Sequence, residues 1–168
     1  ETGTFYDNIE HRYYKKVRIG NQWWMAENLQ TTHFRNGNSI STTTPASLDI
    51  TGQSSPTYQW PYSGVESYVE TYGRLYTWYT VNDSRGVCPS GWHVPSDDEW
   101  TVMENFLIGH GYNYDGTTVI NKIAKALSTT TGWTLSSYVG SIGNTDFPLK
   151  RNVTEFNAIG GGCREFSN

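Results

Sequence analysis

The segment that starts at Pro95 contains the strongest local folding signal in the sequence. Ser96 is a good N-cap residue, and Glu99, three positions later, completes a capping box, while two aspartates add negative charge to the first turn. Apolar residues then follow at the spacing of one helix face: Trp100, Met103, Phe106 and Leu107. Two glycines end the pattern. The sequence therefore predicts an amphipathic helix from Asp97 with one face on a core.

A β-hairpin is predicted earlier in the chain. Val17 and Ile19 alternate with polar residues, Gly20-Asn21 supplies a two-residue turn, and the return strand starts at Trp23. A chain of 168 residues fits one ordinary domain, which is expected to cover residues 4–168. The residues at 1–3 are expected to be a vector-derived remnant and are excluded from fold reasoning.

Two further helices are predicted from apolar spacing. Leu75, Trp78 and Tyr79 stand at i, i+3 and i+4, which favours a short helix over 75–81. The segment 118–129 has a longer stripe, formed by Ile120, Ile123, Ala124 and Leu127. Its lysines, Lys122 and Lys125, are predicted to point outward.

Long stretches of the chain have no sustained periodicity. The segment 35–64 is rich in Ser, Thr, Gly and Pro and is predicted to form surface loops. The segment 131–168 is rich in glycine and has isolated aromatic residues, which indicates long structured loops with short strands. Loops of this length in a compact domain carry function or are flexible.

Charge and hydropathy exclude two classes of partner. The formal net charge is −4, and the longest run of basic residues is Lys15-Lys16. Nucleic-acid binding requires clustered basic charge, so nucleic acid is not expected as a partner. No apolar run approaches the ~20 residues that a membrane-spanning helix needs, so no membrane span is predicted.

The stretch Val87–Trp100 is dense in reactive side chains, yet it supports little chemistry. Cys88 and His93 have a spacing that two zinc ligands could use, but a structural zinc site needs four, and no recognisable second pair is present. A Cys-His nucleophile pair would need a spatial contact that sequence does not show. The acids after Ser96 are explained by the helix N-terminus. No metal, cofactor or catalytic residue is predicted.

The two cysteines leave alternatives open. Cys88 and Cys163 could close one long loop, which the chain-entropy model values at roughly 4 kcal/mol. Two unpaired thiols, or partners outside the chain, are the alternatives.

Aromatic residues in the predicted loops are candidates for ligand contacts, because such rings dominate interface hot spots. They are Tyr58, Trp60, Tyr62, Tyr68, Tyr112, Tyr114, Trp133 and Tyr138. For any single one, the more frequent role is to hold a long loop onto a small core.

Five motifs together resemble the Fibrobacter succinogenes major paralogous domain family. They are "VRIGNQWWMAENL", "YGRLYTW", "VCPSGWHVPSDDEW", "GYNYDGTTVINKIAKAL" and "EFNAIGGGCR", and they cover most of residues 12–165. The resemblance implies an α+β, C-type-lectin-like fold, related more distantly to the formylglycine-generating enzyme. In such a fold, small twisted antiparallel sheets are flanked by two or three helices, and long loops present the binding surface.

The resemblance also implies a secreted or outer-surface bacterial protein associated with adhesion or fimbrial tips. Family members continue past the "GGCR" segment, so this chain is expected to lack a C-terminal strand. Cys88 would pair with a later cysteine in the family, and Cys163 is the alternative partner here. The enzyme version of the fold uses paired C-terminal cysteines, whereas only Cys163 lies in such a region.

The preferred function is a non-enzymatic adhesion module that recognises a glycan or a host or bacterial surface protein through the loops after residue 110. The candidate ligand-binding residues are Tyr112, Tyr114, Trp133, Asp146, Arg151 and Arg164. The alternative is a structural fimbrial or pilus tip subunit that a strand of another chain completes. An oxidase-like enzyme is the least favoured hypothesis.

Overall fold

The computed structural model describes residues 1–161 and has a mixed α+β architecture of small antiparallel sheets and short helices. The strands are β1 (Thr2–Asp7), β2 (Arg12–Ile19), β3 (Gln22–Met25), β4 (Tyr58–Gln59) and β5 (Leu75–Tyr76). The helices are α1 (Pro61–Gly64), α2 (Val69–Tyr72), α3 (Trp78–Val81), α4 (Asp97–Gly109) and α5 (Ala124–Leu127). Two 3-10 turns, Glu66–Tyr68 and Pro148–Lys150, complete the set. The α+β prediction is confirmed at this level. No helix in the described chain is long and apolar enough to cross a membrane.

The first sheet contains the predicted hairpin. Strands β1, β2 and β3 are neighbours in that order, and β2 pairs with β3 antiparallel from Lys16↔Met25 to Ile19↔Gln22. Gly20 in the turn has φ +60°, a conformation that glycine adopts without strain. Thr2 and Gly3 lie inside β1, and the Glu1 carbonyl accepts a hydrogen bond from the Arg18 N–H at 2.8 Å. Residues 2–3 therefore extend a strand of the sheet, and the assignment of residues 1–3 to a vector-derived remnant stays a prediction.

The chain divides into two compact units, each assembled from segments that are distant in sequence. Unit 1 consists of residues 1–5, 14–27 and 95–160, and unit 2 contains residues 6–13 and 28–94. The single domain predicted over residues 4–168 stays a prediction.

Helix α4 and the hairpin supply the core of unit 1. The Ser96 hydroxyl accepts the Glu99 N–H and the Glu99 carboxylate accepts the Ser96 N–H, so the predicted capping box is confirmed. Met103 and Leu107 of the predicted stripe are buried with residues of β2 and β3, and Trp100 stands 4.6 Å from the Trp24 ring centroid. The core cluster is Val17, Ile19, Trp24, Ala26, Met103, Leu107 and Ile123.

Unit 2 shows that the polar stretch 35–64 is more than surface loop. Its core cluster is Phe34, Ile40, Tyr58, Val87 and Cys88. Gln59 in β4 is buried, and its side-chain amide donates to the Thr43 hydroxyl and to the Leu48 carbonyl, both at 2.9 Å. Polar residues can enter this core because their hydrogen bonds are made inside it.

The short helix predicted over 75–81 is half wrong. Leu75–Tyr76 is the strand β5, which pairs antiparallel with β4, and only Trp78–Val81 is helical. Thr77 separates the two, because its hydroxyl accepts the Thr80 N–H and caps the helix at that point.

The third predicted helix, over 118–129, is reduced to the single turn α5. Ile120 has φ +60° and is 74% exposed, so it does not belong to a buried helical stripe. The backbone carbonyls just before α5, which a longer helix would use for its own hydrogen bonds, instead accept hydrogen bonds from the Asn113 side chain.

Candidate functional site in the loops after residue 110

Residues 111–161 form the C-terminal loop region, in which the only regular elements of the described chain are α5 and the Pro148–Lys150 turn. All of it except Gly161 belongs to unit 1. Five of the six predicted ligand-binding residues lie here, and Arg164 lies outside the described residues. The conformation of these loops is set by buried polar side chains instead of by backbone ladders.

The first of these side chains is Asn113, which is completely buried. Its side-chain N–H group donates to the carbonyls of Thr117, Val119 and Ile120 at 2.8, 3.2 and 2.9 Å. Its carbonyl oxygen accepts the Lys122 N–H at 2.8 Å. One amide therefore closes the 113–122 loop, and this is why no helix starts at residue 118.

The rim of the same loop carries an ion pair. The Lys122 ammonium lies 2.5 Å from the Asp115 carboxylate, and the Thr117 hydroxyl also donates to Asp115. The Lys122 hydrogen bond is the main reason that the pKa of Asp115 falls to about 2. The Asp115 carboxylate is therefore engaged in holding the loop.

The second buried side chain is Lys125, whose predicted outward orientation is wrong. Its side chain is 0% exposed, and its ammonium lies 2.8 Å from the Asp146 carboxylate and donates to the Asn144 carbonyl at 2.6 Å. Burial alone would raise the pKa of Asp146, but the Lys125 and Gly140 hydrogen bonds and the Arg151 charge lower it below its usual value. A buried charge needs such partners, so Lys125 holds the loop that contains Asn144 and Asp146.

Tyr114 joins these two loops. Its half-buried ring lies 5.0 Å from the Phe147 centroid and packs on Gly140. A Cβ at Gly140 would stand 2.1 Å from the ring, and Gly140 has φ +77°, so only glycine fits there. The Gly140 N–H also donates to the Asp146 carboxylate at 2.8 Å. The structure therefore brings Tyr114, Asp146 and Lys125 into one neighbourhood.

Trp133 and Arg151 bind consecutive carbonyls on a neighbouring loop. The Trp133 indole N–H donates to the Thr129 carbonyl at 3.0 Å, and the Arg151 guanidinium donates to the Thr130 carbonyl. Both side chains are half-buried, and their donors are engaged within the protein. These hydrogen bonds show how Trp133 and Arg151 hold the loop. A ligand contact of either residue stays a prediction.

Tyr112 stands apart from this group and lines a cleft of about 420 Å³ in unit 1. Gly20 and Phe106 lie on its apolar side, and Arg18 and Glu155 supply charges of opposite sign. Tyr112 also packs against the core of unit 1, so its ring has a structural role as well.

The predictions missed the most exposed apolar side chains. Among the described residues, the five most exposed large apolar side chains are each at least 70% exposed. They are Leu149, Leu135, Tyr138, Ile120 and Val139. All five belong to the C-terminal loop region, and the next, Trp78 in unit 2, is 68% exposed. Of these five residues, only Tyr138 was among the aromatic candidates for ligand contacts. The other four are isolated aliphatic residues in a polar sequence, which give no periodic signal.

The stretch Val87–Trp100 has the structural role expected of it. Cys88 is a buried free thiol, and burial raises its pKa to about 11, although the Arg35 charge lowers it in part. Arg35 donates to the carbonyls of Cys88 and Trp92, so this segment is held through its backbone. Cys163, the predicted partner of Cys88, lies outside the described residues, and the pairing stays a prediction. Within residues 1–161, no three His, Cys, Asp or Glu side chains are grouped to hold a metal ion.

The comparison with known families agrees with the motifs and with this architecture. The model of the Fibrobacter succinogenes major domain matches residues 17–168, which is most of the chain. No curated protein and no solved structure matched the sequence. The match includes the hairpin, helix α4 and the C-terminal loop region. The chain belongs to the Fibrobacter succinogenes major domain family.

Proposed function

We propose that this protein is a non-enzymatic binding module, secreted or displayed on the outer surface of a bacterium, that recognises its partner through the C-terminal loop region. The proposal includes a C-type-lectin-like fold. The hairpin, the capped helix α4 and the long loops that follow it are the features that support that fold assignment.

The observation that carries the proposal is the concentration of exposed apolar side chains on fixed loops. The five most exposed large apolar residues of the described chain all lie there. Exposed apolar side chains that gather in one part of a protein mark interaction sites, and Tyr138 and Val139 are consecutive in the chain. Because Asn113 and Lys125 fix the backbone beneath, binding would cost little ordering entropy.

A glycan or a protein could occupy this surface, and its composition favours a protein. Four of the five residues are aliphatic, and aliphatic side chains gain most from contact with another apolar surface. Sugar recognition would call on polar side chains, whereas Asp146, Arg151 and Trp133 already bond within the loops.

The test compares binding of the intact protein with that of a loop variant. The variant carries Leu135→Ser, Tyr138→Ser and Leu149→Ser, and the control is Trp78→Ser, the most exposed large apolar residue described in unit 2. Surface proteins from bacterial and host cells and an array of glycans are presented to each. We expect a protein ligand that the loop variant loses and the control retains. Absence of binding to every probe, or binding that the loop variant keeps in full, would contradict the proposal.

The second candidate is a fimbrial subunit that accepts a strand from another chain. Its supporting observation is that β1 and β3 each have one strand neighbour among the described residues, so each has an outer edge. Sedimentation of the purified protein tests it, since a monomer that takes up no strand peptide would refute strand exchange. An enzyme that uses Cys88 receives no support, because a buried thiol with a raised pKa is a poor nucleophile.

A further inference from the structure

Three tyrosines of unit 2 form an exposed cluster that the proposed function does not use. The rings of Tyr62 and Tyr68 stack with centroids 4.3 Å apart and planes 25° apart, and Tyr72 stands 5.0 Å from Tyr62. Tyr62 and Tyr68 are 56% and 41% exposed. Since the two rings stack on each other with one face each, their exposure lies on the remaining faces and edges.

The backbone that presents Tyr62 is strained. Tyr62 and Ser63 have φ +49° and +57°, and Gly64 follows with φ +96°, which makes this turn left-handed. Left-handed conformation costs about 1–2 kcal/mol for each non-glycine residue. Strained backbone of this kind is concentrated at ligand-binding and switch segments of proteins. The left-handed turn at Tyr62 and Ser63 therefore makes the Tyr62 ring a candidate for a ligand contact.

The charge around the cluster is negative. The segment 61–73 contains two acids, Glu66 and Glu70, and no Lys or Arg. The nearest base in sequence, Arg74, pairs with Glu66 at 3.2 Å, and its guanidinium lies over the rings of Tyr58 and Trp60. That cation is therefore engaged with other aromatic rings.

Elsewhere the protein covers aromatic rings with its own cations. The other pairs are Lys16 over Trp23 at 4.4 Å, Arg85 over Phe34 at 3.9 Å and Lys122 over Tyr114 at 5.8 Å. Within residues 1–161, no lysine or arginine lies over Tyr62, Tyr68 or Tyr72 in this way. The negative faces of these rings can thus accept a cation from outside the chain.

We propose that the tyrosine cluster, Tyr62, Tyr68 and Tyr72, is a binding site for a lysine or arginine side chain of a partner polypeptide. The open ring faces supply cation–π attraction. Glu66 is already paired with Arg74, so Glu70 is the acid of this segment that adds a weak, salt-dependent attraction for a cation and disfavours an anionic ligand. The site lies in unit 2 and does not depend on the C-terminal loop region or on the proposed function.

The experiment titrates the whole protein with three probes and follows the tyrosine ring signals by NMR. The probes are the peptide acetyl-Gly-Lys-Gly-Lys-Gly-amide, the same peptide with norleucine in place of each lysine, and the neutral sugar cellohexaose. We expect the lysine peptide to shift the Tyr62 and Tyr68 signals, with affinity that falls as salt rises from 50 to 300 mM. The other two probes should leave these signals in place.

Variants separate ring chemistry from shape. Tyr62→Phe keeps an aromatic face and should bind within about twofold of the native protein, whereas Tyr62→Leu should weaken binding at least about threefold. Tyr79→Leu, which alters an exposed tyrosine of helix α3, is the matched control and should not change binding. The native spectrum of the remaining unit 2 signals checks that each variant is folded.

Four outcomes would overturn the proposal. The first is equal response to the lysine and norleucine peptides, and the second is saturation by cellohexaose without response to lysine, which would assign the cluster to sugar binding. The third is no shift with any probe. If Tyr62→Phe loses as much affinity as Tyr62→Leu, the phenol hydroxyl and not the ring face is the binding group, and the cation–π assignment is refuted.

Discussion

Replacing the buried lysine of the C-terminal loop region should destabilise the protein strongly. In Lys125→Met the side chain keeps most of its length and an apolar stem but loses the ammonium that contacts Asp146 at 2.8 Å and the Asn144 carbonyl at 2.6 Å. Removing one member of a buried ion pair costs about 3–5 kcal/mol, because the other charge is left uncompensated. The Asp146 side chain is 25% exposed and also feels the Arg151 charge, so we expect the lower end of that range.

The assay is unfolding in urea and by heat. We expect the free energy of unfolding to fall by about 3 kcal/mol and the thermal midpoint by about 6–12 °C, which is the conversion for a chain of this size. Lys15→Met alters an exposed lysine of the same unit and should stay within about 0.5 kcal/mol of the native protein. A Lys125→Met protein as stable as the Lys15→Met control would refute the reasoning.

The uncompensated carboxylate can be tested separately. The double variant Lys125→Met/Asp146→Asn removes both charges, so it should be more stable than Lys125→Met alone by about 1 kcal/mol or more. The folded-state pKa of Asp146 is lowered, so its stabilising effect is present above the unfolded pKa and is lost as pH falls through the folded pKa. The gap between native protein and Lys125→Met should therefore narrow in acid. Strict additivity of the two substitutions would contradict the assigned contact.

Three further predictions concern other parts of the fold. Ser96→Ala should lower the free energy of unfolding by about 1 kcal/mol in a urea titration, because it removes the capping box, and Ser137→Ala in an exposed loop is the control. Glu10→Gln should destabilise the protein at pH 7, and the loss should shrink as pH falls through the folded-state pKa of Glu10. Burial raises that pKa, but the hydrogen bonds from Thr32, Thr31 and His33 lower it further, so it lies below 4.5. A stability gap that persists in acid would disprove this. Cys88 should resist iodoacetamide at pH 8 in the folded protein and react in urea, as read by mass spectrometry of its peptide, because its pKa is about 11; rapid labelling of folded protein would contradict the burial.

The parts of the fold that were predicted correctly depend on neighbours in sequence. Ser96 and Glu99 cap a helix through contacts three residues apart, and Gly20-Asn21 makes a turn between adjacent strands. Such determinants are complete within a window of about ten residues, so the sequence reports them directly.

The parts that failed depend on partners far along the chain. Lys125 was predicted to lie on the outer face of a helix, but its carboxylate partner is Asp146, and this contact buries the lysine. Gln59 enters the core because Thr43 accepts its amide. Secondary-structure propensity and apolar periodicity describe only neighbouring residues, so they do not report contacts between residues this far apart in sequence. Tertiary contacts of this kind override the local preference.

The predicted ligand-binding residues stay a prediction as a site, but the structure shows a second role for several of them. Tyr114, Asp146 and Arg151 were chosen as polar or aromatic ligand contacts, and the structure uses all three to hold the loops. The exposed aliphatic residues were not selected because an isolated Leu or Val in a loop has no pattern. Whether such a residue is exposed depends on the course of the backbone around it, which the sequence does not show.

Asn113 fixes the conformation of its loop without depending on which side chains the loop carries. Three of the carbonyls that its amide binds belong to the main chain, and every amino acid has that group. Side chains at the tip, such as Val119, can therefore be exchanged while the loop keeps its course. A protein built in this way can acquire new partners by substitutions at the tip, provided that the single asparagine beneath is retained. The same property makes residues 118–119 a practical position for randomised libraries.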